Sequence, residues 1–176
     1  MRHIRRGVAI AIAAVISVFA FTGVASASAN HRNVQILDAC EPASFNAVLG
    51  DGSCVKNGDV TFDEFIDQLL TMGEAPAWRF SPERVGLRAG GTVTATNRGG
   101  EFHTFTEVAA FGGGCVDEIN ELIGLTAIPE CANPGPLFGA TGVPPRESLT
   151  TGALATGTHR FQCIIHPWQR TSVQAG

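Results

Sequence analysis

The sequence is poor in cations. Lysine and arginine number 12 against 16 aspartates and glutamates, so the chain has no basic surplus with which to neutralise a phosphate backbone, and nucleic acid is excluded as a partner. Long apolar runs are also scarce: beyond Gly7–Val24 there is no second stretch that could hold the protein in a bilayer. Methionine is limited to Met1 and Met72, so no thioether lies downstream of His103. No internal repeat is visible. Calcium is excluded on similar grounds. Asn57-Gly58-Asp59 faintly resembles the end of a calcium loop, but with Gly58 in the glycine position, Ser53 and Val55 stand where carboxylates are needed.

What is present begins with an export pattern. Arg2, Arg5 and Arg6 precede the apolar run, and Ala25-Ser26-Ala27-Ser28-Ala29 offers small-residue cleavage sites ending at Ala27 or Ala29. Arg5-Arg6 hints at a twin-arginine signal without strong support from the residues that follow. Residues 1–29 are therefore read as a signal peptide, and the protein as periplasmic or secreted. Losing three arginines takes the formal charge from −4 to −7. That acidity suits a soluble protein able to dock on a basic partner.

Five cysteines follow the signal: Cys40, Cys54, Cys115, Cys131 and Cys163. In an oxidising compartment four are expected to pair. Three connectivities are open, and pairing of sequence neighbours, Cys40 with Cys54 and Cys115 with Cys131, is the most natural. Each such bond closes a short loop worth about 3 kcal/mol on the chain-entropy model. Cys163 is then the odd thiol, and a metal would explain it.

Residues 30–74 read as a helical N-terminal extension. Thr61 and Glu64 have capping-box spacing, Phe62, Phe65, Ile66, Leu69 and Leu70 follow a helical stripe, and Gly73 supplies a stop. His31 is read as part of a disordered tail. From Ala75 the period changes to two, and 75–176 is expected to form one domain. Trp78 and Phe80, Val85 and Leu87, Thr92–Asn97, Phe102–Val108, Thr158–Ile164 and Arg170–Gln174 read as strands, separated by turns at Ser81-Pro82, Ala89-Gly90-Gly91 and Arg98-Gly99-Gly100. An insertion at about 109–145 carries a short helix (Val116, Ile119, Leu122, Ile123) and a Gly/Pro-rich loop after Cys131. Many short, punctuated strands predict a β-sandwich.

Two segments carry chemistry. In Gly157–Gln169, strand alternation sets Arg160 and Gln162 towards water and Phe161 and Cys163 inward, with His166 three residues on in a loop stiffened by Pro167. In Asn97–Phe105, a turn leads into a strand presenting His103 inward. One soft sulfur and two imidazoles form the trigonal donor set of blue-copper sites.

The spacing G-x-x-x-F-x-C-x-x-H-P, with N-x-G-G-x-x-H upstream, resembles the cupredoxins, and the short ligand loop is most like that of amicyanin. The resemblance spans Trp78 to the C-terminus. It implies an all-β, cupredoxin-like Greek-key β-sandwich, here with a short helical N-terminal extension and a helix/loop insertion. It further implies one type 1 copper ion held by His103, Cys163 and His166. Gln169 occupies the axial methionine position, as in the stellacyanins, and a harder oxygen donor there would favour Cu(II) and lower the reduction potential. Thr104 stands where the family often has asparagine, which weakens the expected bond to the ligand loop. His159 takes the usual tyrosine position at the barrel rim, and Trp168 is either a docking or a rim-packing residue. The implied function is that of a one-electron carrier, a monomer rather than an enzyme, meeting a redox partner protein, with His166 as the electron's exit. The alternative is a copper-binding or copper-delivery protein without a redox partner, against which the lack of methionine counts. A copper oxidase or reductase would need further copper ligands, and this sequence offers one constellation.

Overall fold

The computed structural model describes residues 30–176; the expected signal peptide lies outside them. Chain order runs through β1 (His31–Leu37), α1 (Pro42–Leu49), α2 (Phe62–Met72), β2 (Arg79–Ser81), β3 (Arg84–Leu87), β4 (Thr92–Asn97), β5 (His103–Thr104) and β6 (Thr106–Val108). It continues through α3 (Asp117–Ile123), a 3-10 turn (Pro129–Ala132), α4 (Pro134–Thr141), β7 (Gly142–Val143), β8 (Ser148–Thr150), β9 (Gly157–Gln162) and β10 (Arg170–Ala175). Two four-stranded sheets, ordered β2-β1-β4-β8 and β3-β10-β9-β6, are joined by a two-stranded β5-β7 pair. No helix of the described residues is long and apolar enough to cross a membrane.

Alternation builds the core. Val34 and Ile36 of β1, Phe80 of β2 and Val93 and Ala95 of β4 meet Leu87 of β3, Phe161 of β9 and Val173 and Ala175 of β10 in one buried cluster. Phe105 stacks parallel on Phe161 with ring centroids 4.4 Å apart.

The opening of the chain differs from expectation. His31–Leu37 is a strand, not helix or tail: β1 pairs in parallel with β4 and antiparallel with β2, and His31 Nδ1 lies 3.0 Å from Thr92 Oγ1. The period-two signal is only Val34 and Ile36 between polar neighbours, too short to stand out beside the helical stripe that follows. The helical part of 30–74 is α1 and α2. Thr61 and Glu64 form the reciprocal capping box, and Gly73 closes α2 at φ 73°, a left-handed geometry suited to glycine. Because Ile36 is fully buried inside the sheet, Ile36→Ala is expected to lower the unfolding free energy by about 2–5 kcal/mol. Denaturant titration of the protein reads this loss, and a change near zero would return the segment to a tail.

Two further differences concern the site. The stretch Phe102–Val108 breaks at Phe105 into β5 and β6, which pair with β7 and β9 respectively. Gln162, expected to face water, is fully buried, because the insertion folds over it. Its side chain accepts from Gly112 N and donates to Gly113 O. Within that insertion, Pro134–Thr141 is a helix rather than a loop, Pro134 being tolerated in its first turn. Disulfides join Cys40 to Cys54 and Cys115 to Cys131, and Cys163 is free and buried.

Candidate metal centre

The upstream half of the site is a turn locked by side chains. Asn97 Nδ2 donates to Glu101 O and Val143 O, while its Oδ1 accepts from Gly99 N. Asp38, directly after β1, fills the turn: its carboxylate accepts from Gly100 N at 2.8 Å and from Glu101 N at 3.1 Å. This is why glycine stands at 99, since a Cβ there would lie 1.8 Å from Asp38 Oδ2. The turn delivers His103 onto β5, fully buried, with Nε2 against Asp38 Oδ2 at 2.8 Å and Nδ1 facing the other donors.

The downstream half is the loop between β9 and β10. Cys163 lies just past β9, donates its N–H to Gln169 O, and accepts from Thr104 N at its sulfur. Gln169 N donates to His166 O, closing the loop tightly. Thr104 binds the loop despite replacing asparagine, because its Oγ1 accepts from Ile164 N at 2.9 Å. Residues 60 positions apart are thus brought together. Cys163 Sγ lies 3.9 Å from His103 Nδ1 and 3.8 Å from His166 Nδ1, and the two nitrogens are 3.2 Å apart.

Three donors bound to one ion at about 2.0–2.3 Å stand about 3.4–3.8 Å from each other in trigonal or tetrahedral geometry. The observed triangle, with sides of 3.2, 3.8 and 3.9 Å, comes within about 0.2 Å of that spacing. Gln169, whose backbone is bonded to Cys163 and His166 in the same loop, is fully buried. Its Nε2 donates to Leu37 O, but Oε1 has no hydrogen-bond partner among the described residues. A buried amide oxygen left without a partner costs about 1–3 kcal/mol, which an acceptor of its electron pair, such as a cation, would relieve.

Electrostatics favour a deprotonated sulfur. Burial would push the Cys163 thiol up, but hydrogen bonding to His103 and His166 outweighs it and holds the group well below the ordinary thiol range. Burial works against a charged His103, yet the Asp38 carboxylate and the Cys163 sulfur together raise its pKa to about 10. Asp38 is likewise opposed by burial and drawn down to about 2, by His103 and then by the amides of Gly100 and Glu101.

A helical layer covers the site. His166 is 4% exposed, meeting the edge of Phe65 at 6.2 Å and Trp168 at 5.5 Å between ring centroids. Trp168 donates to Ala75 O, a packing role. A cleft of about 320 Å³ lined by Phe45, Phe62, Phe65, Ile119 and Leu122 reaches down to His166 and Glu101. Glu101 was not foreseen. It accepts a hydrogen bond from Trp78 Nε1, sits 3.8 Å from His166 Nε2, and is pushed up by burial against the pull of both histidines. Asp38 was also missed, its sole signal being an acid at the end of a short alternating run. His159 sits at the rim, partly exposed, its Nδ1 2.6 Å from Glu107 Oε1.

No protein-family model and no curated protein matches this chain. Among solved structures the chain is similar to a purple cupredoxin from Nitrosopumilus maritimus, at 16% identity over 82% of this chain and 99% of that one, with a TM-score of 0.44. It is also similar to amicyanin from Paracoccus versutus, at 14% identity over 56% of this chain and 73% of that one, with a TM-score of 0.36.

Proposed function

We propose that this chain is an exported, cupredoxin-like Greek-key protein that binds one type 1 copper ion and serves as a one-electron carrier. The observation that carries the reading is the buried triangle of Cys163 Sγ, His103 Nδ1 and His166 Nδ1, with all three donors within 3.9 Å of one another. A thiolate with two imidazoles is the donor set of blue copper, and Gln169 Oε1, unpartnered among the described residues, would supply a further oxygen donor to an ion held there. When bound there, copper supplies a one-electron couple between Cu(I) and Cu(II). Hydrogen bonds within the protein would hold the donors in place around such an ion: Thr104 pins the Cys163 loop, Gln169 N closes it on His166, and Asp38 holds His103. Small rearrangement is what a carrier needs. Delivery of copper to another protein is the weaker reading, because the donors are enclosed and no methionine follows His103.

The two disulfides suit an oxidising compartment, in line with a periplasmic or secreted protein whose partner is a redox protein. His166, with Phe65 and Trp168 packed on it, would be the side chain through which an electron passes to a partner. Optical and paramagnetic-resonance spectra of the copper-loaded protein, lacking residues 1–29, test the reading. Intense visible thiolate-to-copper absorption with narrow copper hyperfine splitting is expected. Spectra of copper bound only through nitrogen and oxygen would end it.

A further inference from the structure

We infer that Asp38 is a positioning residue for the upstream ligand: its carboxylate holds His103 with Nδ1 turned to the metal and sets a buried negative charge one imidazole away. This rests on the copper-site reading above. Asp38 Oδ2 lies 2.8 Å from His103 Nε2, and both side chains are almost wholly excluded from water, at 2% and 0% exposure. An imidazole that donates from Nε2 keeps its lone pair on Nδ1, the atom that faces Cys163 and His166. A backbone carbonyl would orient the ring as well, but would bring no charge.

The carboxylate is itself immobilised. Gly100 N and Glu101 N donate to it, Cys40 N lies 3.4 Å from Oδ1, and Cys40 is tied to Cys54. The other histidine is held differently. Its nearest carboxylate, Glu101, is 3.8 Å from Nε2, beyond hydrogen-bond reach. One ligand is therefore anchored to a charge and the other is packed among rings, so Asp38 acts on the oxidised and reduced ions unequally. A negative charge this close favours the ion of higher charge.

The rival view is that Asp38 only organises the Gly99–Glu101 turn. Three measurements separate the two. In the native protein loaded with Zn(II), a redox-silent probe, long-range proton–nitrogen NMR should show His103 protonated at Nε2 and metal-bound at Nδ1; the opposite tautomer would overturn the inference without any variant. Asp38→Asn keeps the shape and an acceptor but removes the charge, so the copper form should keep its visible band while the Cu(II)/Cu(I) equilibrium moves at least about tenfold towards Cu(I), a rise of about 59 mV. Asp38→Ala removes orientation as well and should weaken Zn(II) binding about 10–100-fold. If Asp38→Asn lowered the melting point of the copper-free protein but left the potential and Zn(II) affinity native, the turn-only view would win. If the native protein bound copper without a thiolate band, the copper-site reading itself would fall, and this inference with it.

Discussion

Cys163→Ser is expected to abolish the intense visible absorption of the copper-loaded protein entirely while leaving the domain folded. The band requires a sulfur bound to copper, and Cys163 is the free thiol of the described chain, the other four cysteines being joined in pairs. A serine hydroxyl at the same position can still accept the N–H of Thr104, and the Cys163 backbone bond to Gln169 O is untouched. Folding should therefore survive, at a cost of about 1–3 kcal/mol for altered hydrogen bonding in a buried place. Circular dichroism of the copper-free variant checks the fold, and an absorption titration with Cu(II) checks the site. A variant that folds and keeps the native visible band would remove Cys163 from the ligand set.

Replacing Gln169 should move the potential. Its Oε1 is buried and without a partner among the described residues, while Nε2 is held by Leu37 O, so the amide presents an oxygen that no donor of those residues satisfies. An oxygen donor favours Cu(II), and a thioether favours Cu(I). Gln169→Met is therefore expected to raise the reduction potential by about 59 mV or more, a factor of at least ten in the equilibrium. Gln169→Ala leaves no axial side chain and should not reproduce the native value. Voltammetry of the three proteins decides. Equal potentials throughout would mean that Gln169 is a packing residue beside a three-coordinate ion.

Much of the site is written in local sequence because its geometry is local. Cys163 and His166 sit on one tight loop, and Asn97, Gly99 and His103 belong to one turn and the strand it feeds. Each motif therefore carries its own spacing into space. The same holds for α2, whose cap, stripe and stop are contained within Thr61–Gly73. Asp38 and Glu101 were not legible for the opposite reason. Asp38 reaches His103 across 65 positions, through the parallel pairing of β1 with β4, and nothing near Asp38 announces that pairing. Glu101 lies inside the recognised turn, but its contacts with Trp78 and His166 depend on how the helical layer closes over the loop. Gln162 was misplaced because alternation describes one sheet face at a time and cannot see the insertion that covers the other.

The strands β1 and β10 are the first and last of the described chain, yet each lies inside its sheet, and β1 and β10 both run parallel to a neighbour. Parallel partners cannot be joined by a hairpin, so these pairings close long loops before any contact rewards them. The kinetic consequence is a slow, late-committing fold in the millisecond-to-second range typical of high contact order. The loop carrying Cys163 and His166 joins β9 to β10, so it gains its final shape only when β10 has docked between β9 and β3.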